Sequence, residues 1–284
     1  IVGNQGGGPD KTIMRSHRYL DSEAVRMFSL YLHPAANHDG IRVIRGHAAK
    51  WDSPLIELPE RHPLDPGVIG SAYRLCRSLN VDLWHAHDYK STLLGLIVHR
   101  LRPMRLVATA HGWVQFTTMT RLYYRLERSL LKQYDHVIAV SEDLAEMCRA
   151  CGVDRRKVTY VPNSIEPREF TRTQSPAQGR VAMGCSGSAV MIGVVGRLSD
   201  EKGVDRAIAM VDQLAPRVPN LELHIIGDGP AKDRLSRMAS QSRATVRLLG
   251  WQTDARRFYE AMDLLLLPSW REGLPNVVLE AMAM

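Results

Sequence analysis

Long apolar runs are missing from this chain. Stretches such as Leu264 to Leu267 are far shorter than the roughly 20 residues that cross a bilayer, which excludes a membrane-spanning helix. Cysteine is scarce, with four in 284 residues (Cys76, Cys148, Cys151 and Cys185), which excludes a disulfide-stapled scaffold. Cys148-Arg-Ala-Cys151 has no second pair, so it lacks the spacing of a zinc ribbon and reads as idle thiols in a helical run. A P-loop is excluded because Asp10 stands where glycine must precede Lys11-Thr12, and Lys11 breaks the G-x-G-x-x-G fingerprint at its last glycine. No basic aromatic repeat or recognised nucleic-acid motif accompanies the formal charge of +7, so nucleic acid is not expected as a partner. That charge suits phosphorylated ligands or an anionic surface equally well.

Apolar content of 45% and charged content of 24% are those of a globular protein, and the length suits about two domains. The chain opens at Ile1-Val2 and stops at Met284 inside a helical run, so both ends are expected to be cut. Short β-branched runs alternate with helical periodicity, which predicts an α/β protein with parallel sheets. Strands are expected at Val81–His85, Leu106–Ala110, His136–Val140, Val158–Val161, Val190–Val195, Leu221–Ile226, Val246–Leu249 and Leu264–Leu267. Helices are expected at Gly67–Leu79, Ser91–Leu101, Arg121–Gln133, Glu142–Ala150, Val204–Leu214, Ala231–Ser240 and Ala255–Met262. Residues 166–188 lose apolar periodicity and gain Pro, Gly, Ser, Thr and Gln, the composition of a linker or exposed loop. The expected organisation is therefore a domain at 1–165, a linker at 166–188 and a second domain at 189–284. Ligands of such sheets bind at the carboxyl ends of the strands.

Three motifs in the second half carry chemistry. Arg271-Glu272-Gly273-Leu274-Pro275-Asn276 follows an apolar strand, and Pro275 suits the start of a helix that also holds Glu280. Amides around Gly273, Leu274 and Asn276 would then face an anion, with Glu272 and Glu280 as acceptors for sugar hydroxyls. A capped surface helix with two solvated glutamates has the same pattern. Gly196-Arg197-Leu198-Ser199-Asp200-Glu201-Lys202-Gly203 sets two cations between a strand end and a new helix, fit for a diphosphate or for a solvated basic turn. Gly227-Asp228-Gly229-Pro230 is a third glycine turn after a strand, read first as tight turn geometry.

In order and spacing these motifs resemble the retaining glycosyltransferases of family 4. That resemblance implies the GT-B fold, two facing Rossmann-like domains with parallel sheets, here with an incomplete second domain. It implies that Arg197 and Lys202 hold a donor diphosphate, that Glu272 contacts the transferred sugar and that Glu280 contacts the nucleotide ribose, with Gly196, Gly273, Leu274 and Asn276 lining the donor site. In the first half, Asn4 to Asp10 resembles the family's glycine-rich loop, with Gly7 and Gly8 approaching the donor. His111-Gly112 resembles its sugar-contacting histidine. His85, His87 and Asp88 could imitate a metal cluster, but their spacing on one strand end argues for fold markers instead.

No Asp-x-Asp pair occurs, although metal-dependent transferases of the other common fold use one to hold the donor. Neither a metal nor another cofactor is therefore expected; Arg197, Lys202 and the helix start would take over the metal's electrostatic role. The expected partners are a nucleotide-sugar donor and a glycan or lipid-linked acceptor. Arg121, Arg125, Arg128 and Lys132, interleaved with leucines, describe a helix fit for an anionic membrane or simply for its own sheet. The expected location is cytoplasmic, with peripheral contact at the inner face of the membrane. A non-catalytic sugar-nucleotide-binding subunit and a sugar-nucleotide epimerase of the same fold are the competing readings.

Overall fold

The computed structural model describes residues 7–20, 22–36, 39–62, 65–113 and 118–284. It divides into one unit at Ile1–Asn163 and a second at Ser164–Met284. Asn4, Gln5 and Gly6 of the glycine-rich loop lie outside the described residues.

The first unit runs α1 (Gly8–Ser16), β1 (Ser29–Pro34), α2 (Asp39–Trp51), β2 (Leu55–Glu60), α3 (Pro66–Ser78), β3 (Leu83–Ala86), α4 (Tyr89–Leu101), β4 (Arg105–Ala110), α5 (Thr118–Leu131), β5 (His136–Ala139), α6 (Glu142–Ala150) and β6 (Val158–Tyr160). β1 pairs with β2 in parallel, and β3-β4-β5-β6 form a parallel sheet in sequence order. Helix starts follow local chemistry. Asp65 accepts from Gly67 N ahead of Pro66 at the first turn of α3, Asp88 accepts from Lys90 N and Ser91 N to open α4, and Ser141 accepts from Leu144 N to open α6. The core gathers Trp84, Leu94, Leu106, Leu131, Tyr134 and Val137. Gly95 lets α4 lie on it: a Cβ there would meet Trp84 Nε1 at 2.5 Å and Tyr134 Oη at 2.9 Å. Trp84 and Tyr134 in turn donate to the Ser91 and Thr92 carbonyls, at 3.1 and 2.8 Å, so their buried polar atoms are satisfied.

The second unit runs α7 (Pro176–Ala182), β7 (Val190–Val195), α8 (Val204–Leu214), β8 (Leu221–Ile226), α9 (Lys232–Gln241), β9 (Thr245–Leu248), α10 (Arg256–Ala261), β10 (Leu264–Leu265) and α11 (Asn276–Met282). Its strands form a parallel sheet in the order β10-β7-β8-β9. Side chains alternate along β8. Leu221, Leu223 and Ile225 join Val204, Ile208, Val211 and Leu235 on one face, while Ile226 joins Met191, Phe258, Tyr259 and Met262 on the other. The segment 166–188, expected as linker, belongs to this unit and holds α7, opened by a reciprocal cap between Ser175 and Gln178. Periodicity misses α7 because it anchors through polar contacts. Arg180 donates to the Ala261 and Gly187 carbonyls and to Asp263, and Gly179 lies within 3.3 Å of Ala261 when given a Cβ.

Candidate active site

In the second unit, the strand-end motifs converge. β7 ends at Val195, and the chain turns through Gly196 and Arg197 into a single 3-10 turn at Asp200–Lys202. Gly203 closes that turn at φ +60, left-handed backbone that glycine adopts without a Cβ clash; an added Cβ would lie 2.3 Å from the Pro268 carbonyl oxygen. Lys202 Nζ donates to Glu272 Oε1 at 2.6 Å, so two residues 70 apart in sequence meet, both partly buried. Trp270 N donates to the Glu201 carbonyl at 2.9 Å, tying the two loops together a second time, and Arg206 in the first turn of α8 stacks 4.3 Å over the Trp270 ring. Arg197 is exposed, and among the described residues its guanidinium has no hydrogen-bond or ion-pair partner. A charge-assisted pair and an open guanidinium earlier on the same strand-end segment are groups that can bind anionic oxygens and sugar hydroxyls.

The glycine turn of β8 is the support for that loop. Gly196 N donates to the Ile226 carbonyl at 2.9 Å, Leu198 N to the Asp228 carbonyl at 3.0 Å and Ala231 N to the Leu198 carbonyl at 2.9 Å. Gly227, at φ +144, lies so close that an added Cβ would sit 1.8 Å from the Gly196 carbonyl oxygen. Its tight geometry therefore sets the position of Gly196 and Arg197.

α11 starts at Asn276, with Pro275 in extended backbone just before it, so Gly273 and Leu274 lie in the preceding loop and Glu280 lies inside the helix. Glu280 is 3% exposed and its Oε2 accepts from Tyr259 Oη at 2.8 Å, which pushes the tyrosine pKa well above its ordinary range through burial and the adjacent carboxylate. Tyr259 was not visible as a site residue in the sequence, because nothing in Ala255–Met262 departs from an ordinary amphipathic helix.

In the first unit, His111 follows β4 and is half-buried. Its Nε2 lies 3.0 Å from His87 Nδ1, and the two rings stack at 5.3 Å. Burial first, then the neighbouring His85, hold His111 down to about 4, so the ring is neutral near pH 7. His87 thus serves as the partner of His111. At the start of α1, Gly7 N donates to Asp10 Oδ2 at 2.9 Å, and Tyr31 Oη donates to Asp10 Oδ1 at 3.0 Å. Burial pushes Asp10 up to about 6, with both hydrogen bonds opposing it. The charge of Asp88, which caps α4, raises both Asp10 and His111, so it lies within electrostatic reach of Gly7–Gly8 and of His111.

The segment after His111 is pinned by Trp113, whose Nε1 donates to Glu127 Oε2 at 2.9 Å in α5. Burial pushes Glu127 up to about 7, opposed by that hydrogen bond. A carboxyl raised in the folded state favours the folded protein below its unfolded pKa and loses that contribution as pH climbs through its folded pKa. Stability of the first unit is therefore expected to fall between pH 4.5 and 7 by up to about 3 kcal/mol on account of Glu127. Glu127→Gln keeps the acceptor for Trp113 and removes the titration. Melting temperatures of the two proteins across pH 5–8 test this: the difference should grow with pH in favour of the variant, and parallel curves would contradict it.

The sequence model of Glycosyltransferase Family 4 matches residues 7–169, and that of Glycosyl transferases group 1 matches residues 189–284. The UDP-Gal:alpha-D-GlcNAc-diphosphoundecaprenol alpha-1,3-galactosyltransferase of Escherichia coli is 26% identical over 225 residues, 74% of this chain and 58% of that protein. The lipopolysaccharide core biosynthesis glycosyltransferase LpsE of Rhizobium meliloti is 29% identical over 163 residues, 56% of this chain and 45% of that protein. The chain thus spans about half the length of these curated relatives. Among solved structures, Anabaena HepE in complex with UDP-glucose superposes with a TM-score of 0.81 at 20% identity, covering 99% of this chain and 76% of that one. The two units thus have the GT-B fold of paired Rossmann-like domains.

Proposed function

The chain belongs to the glycosyltransferases of family 4, group 1, and from that premise we propose that it moves a sugar from a nucleotide diphosphate donor onto an acceptor, with retained anomeric configuration. The observation that carries this reading is the 2.6 Å contact between Lys202 and Glu272, which joins the Glu272 loop to the strand-end segment that also carries the exposed Arg197. Transfer passes through an oxocarbenium-like state as the bond between the anomeric carbon and the diphosphate oxygen breaks. Arg197 and Lys202 hold the charge that builds on the leaving diphosphate, and Glu272 accepts from a hydroxyl of the sugar. The acceptor hydroxyl attacks from the same face and passes its proton to the departing phosphate. Within the second unit, Glu280 accepts from the ribose. With two cations at the diphosphate, no divalent ion is required.

UDP-sugars are the favoured donors, since a relative is named for UDP-Gal and a structural neighbour holds UDP-glucose. A lipid-linked acceptor is favoured in the same way, by the diphosphoundecaprenol in that relative's name. α5 supports a membrane-surface location: it turns Leu122, 57% exposed, and Leu126, 42% exposed, outward beside Arg121 and Arg125. No helix among the described residues is long and apolar enough to span a bilayer.

Product analysis of the full-length protein tests the proposal. UDP-, GDP- and ADP-sugars are supplied in EDTA with and without lipid-linked glycan acceptors. Acceptor-dependent nucleotide release and an anomerically retained product are expected. Interconverted or free sugar without acceptor would identify an epimerase, and binding without turnover a non-catalytic subunit.

A further inference from the structure

We propose that the second unit carries a structural zinc site made by Cys185, Glu222 and His224, separate from the sugar-transfer site. Glu222 and His224 are two residues apart on β8, so both point to the same face of the sheet. Cys185 follows α7 and is fixed by its own amide, which donates to the Arg180 carbonyl at 2.9 Å. Its Sγ lies 3.8 Å from His224 Nε2, and that nitrogen lies 2.9 Å from Glu222 Oε2. The three ligand atoms all lie within 4.8 Å of one another.

The cluster is deeply placed. His224 is 1% exposed and Cys185 8%, and Cys185 belongs to an apolar cluster with Met191, Ile226 and Met262. Three ionisable groups on an apolar face are costly unless something pairs them. A thiolate, an imidazole and a carboxylate form a donor set that selects zinc and disfavours magnesium or calcium, which take oxygen alone. Tetrahedral zinc, with bonds of about 2.3 Å to sulfur and about 2.0 Å to nitrogen or oxygen, separates its ligand atoms by about 3.3–3.6 Å. The sulfur–nitrogen and nitrogen–oxygen separations, 3.8 and 2.9 Å, lie within about 0.4 Å of those values, and a water on the partly exposed Glu222 side would complete the four-coordinate set.

Charge also balances, because thiolate and carboxylate together neutralise the ion. Arg247 Nε, 3.4 Å from Glu222 Oε2, is the outer partner that orients the carboxylate; its positive charge also lowers the affinity below that of an all-cysteine site. The Met183 carbonyl, 3.8 Å from Cys185 Sγ, is the thiol's competing partner. Cys185 precedes β7 and Glu222 stands at the amino end of β8, whereas Arg197, Lys202 and Glu272 follow strand ends at the opposite edge of this parallel sheet. The ion's role there is to clamp the α7 segment to the sheet.

The test uses protein stripped with chelator and titrated with cobalt(II), then zinc. One cobalt per chain is expected, with an intense thiolate-to-cobalt charge-transfer band and visible bands of tetrahedral strength, both abolished by equimolar zinc. Zinc should raise the melting temperature and slow alkylation of Cys185 by about tenfold or more, mapped by mass spectrometry. Glu222→Gln, a partly exposed position, should fold and lose most of the affinity, and Cys185→Ala should lose the charge-transfer band. A folded wild type without the band would overturn the proposal, as would a band surviving in Cys185→Ala. Should Cys185→Ala fail to fold, alkylation of wild-type Cys185 at equal rates with and without zinc would overturn it on its own.

Discussion

Arg197→Ala is expected to lower kcat/KM with a nucleotide-sugar donor by about 30- to 10³-fold, some 2–4 kcal/mol of transition-state stabilisation. The reason is the division of labour between the two cations of the loop. Lys202 is engaged by Glu272 at 2.6 Å, whereas Arg197 is exposed and open to a ligand. The donor diphosphate already carries negative charge, and a further charge builds on its leaving oxygen as the glycosidic bond breaks, so removing a fixed guanidinium should reduce kcat more than it weakens ground-state donor binding. The fold should be untouched, because the loop is held by the backbone of Gly196 and Leu198 and not by the Arg197 side chain. Lys202→Ala should cost a comparable factor and also leave the Glu272 carboxylate without its cation. Steady-state kinetics of both variants, with melting temperatures alongside, checks this; unchanged turnover in Arg197→Ala would remove Arg197 from the mechanism.

Gly227→Ala is expected to destabilise the second unit by on the order of 2–4 kcal/mol and to cut donor binding as well. Two costs combine at this position. The backbone sits at φ +144, where a side chain is strained, and the new Cβ would lie 1.8 Å from the Gly196 carbonyl oxygen and 2.9 Å from its carbon. Neither atom belongs to a flexible side chain, so relief must come from moving the loop that carries Arg197. Gly250→Ala separates the two costs: it shares a positive φ, +69, but a Cβ there meets nothing within 4 Å. It should lose only about 1–2 kcal/mol and leave donor affinity intact. Thermal unfolding with donor titration distinguishes them, and equal behaviour of the two variants would contradict the supporting role given to Gly227.

Much of this fold could be read from periodicity, since a buried parallel strand is a short β-branched run whatever its surroundings. Val190–Val195 and Leu221–Ile226 appear in the structure with the bounds that their composition predicts, and the strand expected at Leu106–Ala110 starts one residue earlier, at Arg105. β1, α2 and β2 were not anticipated. Their strands carry His33, Glu57 and Glu60 among apolar residues, and this breaks the apolar run that marked the others. α7 was hidden for the opposite reason: its anchors are an arginine and a glycine, which no hydrophobic pattern detects. At the site, motif spacing placed Lys202 and Glu272 at loop positions that the fold joins. The supports were out of reach, because Tyr259 under Glu280, His87 against His111 and Tyr31 on Asp10 are contacts between distant segments with no local signature. The meaning of Gly227 was likewise undecidable from sequence, since a turn glycine and a glycine under a neighbouring carbonyl are spelled alike.

The most direct test of the account is a titration of UDP and UDP-sugars into the full-length protein in the presence of EDTA, repeated with Arg197→Ala and Glu272→Ala. Saturable binding without metal, lost or weakened at least about tenfold in either variant, is the predicted result. A well-folded protein that binds no nucleotide-sugar, or one whose binding ignores both substitutions, would contradict the assignment of the donor site to Arg197, Lys202 and Glu272.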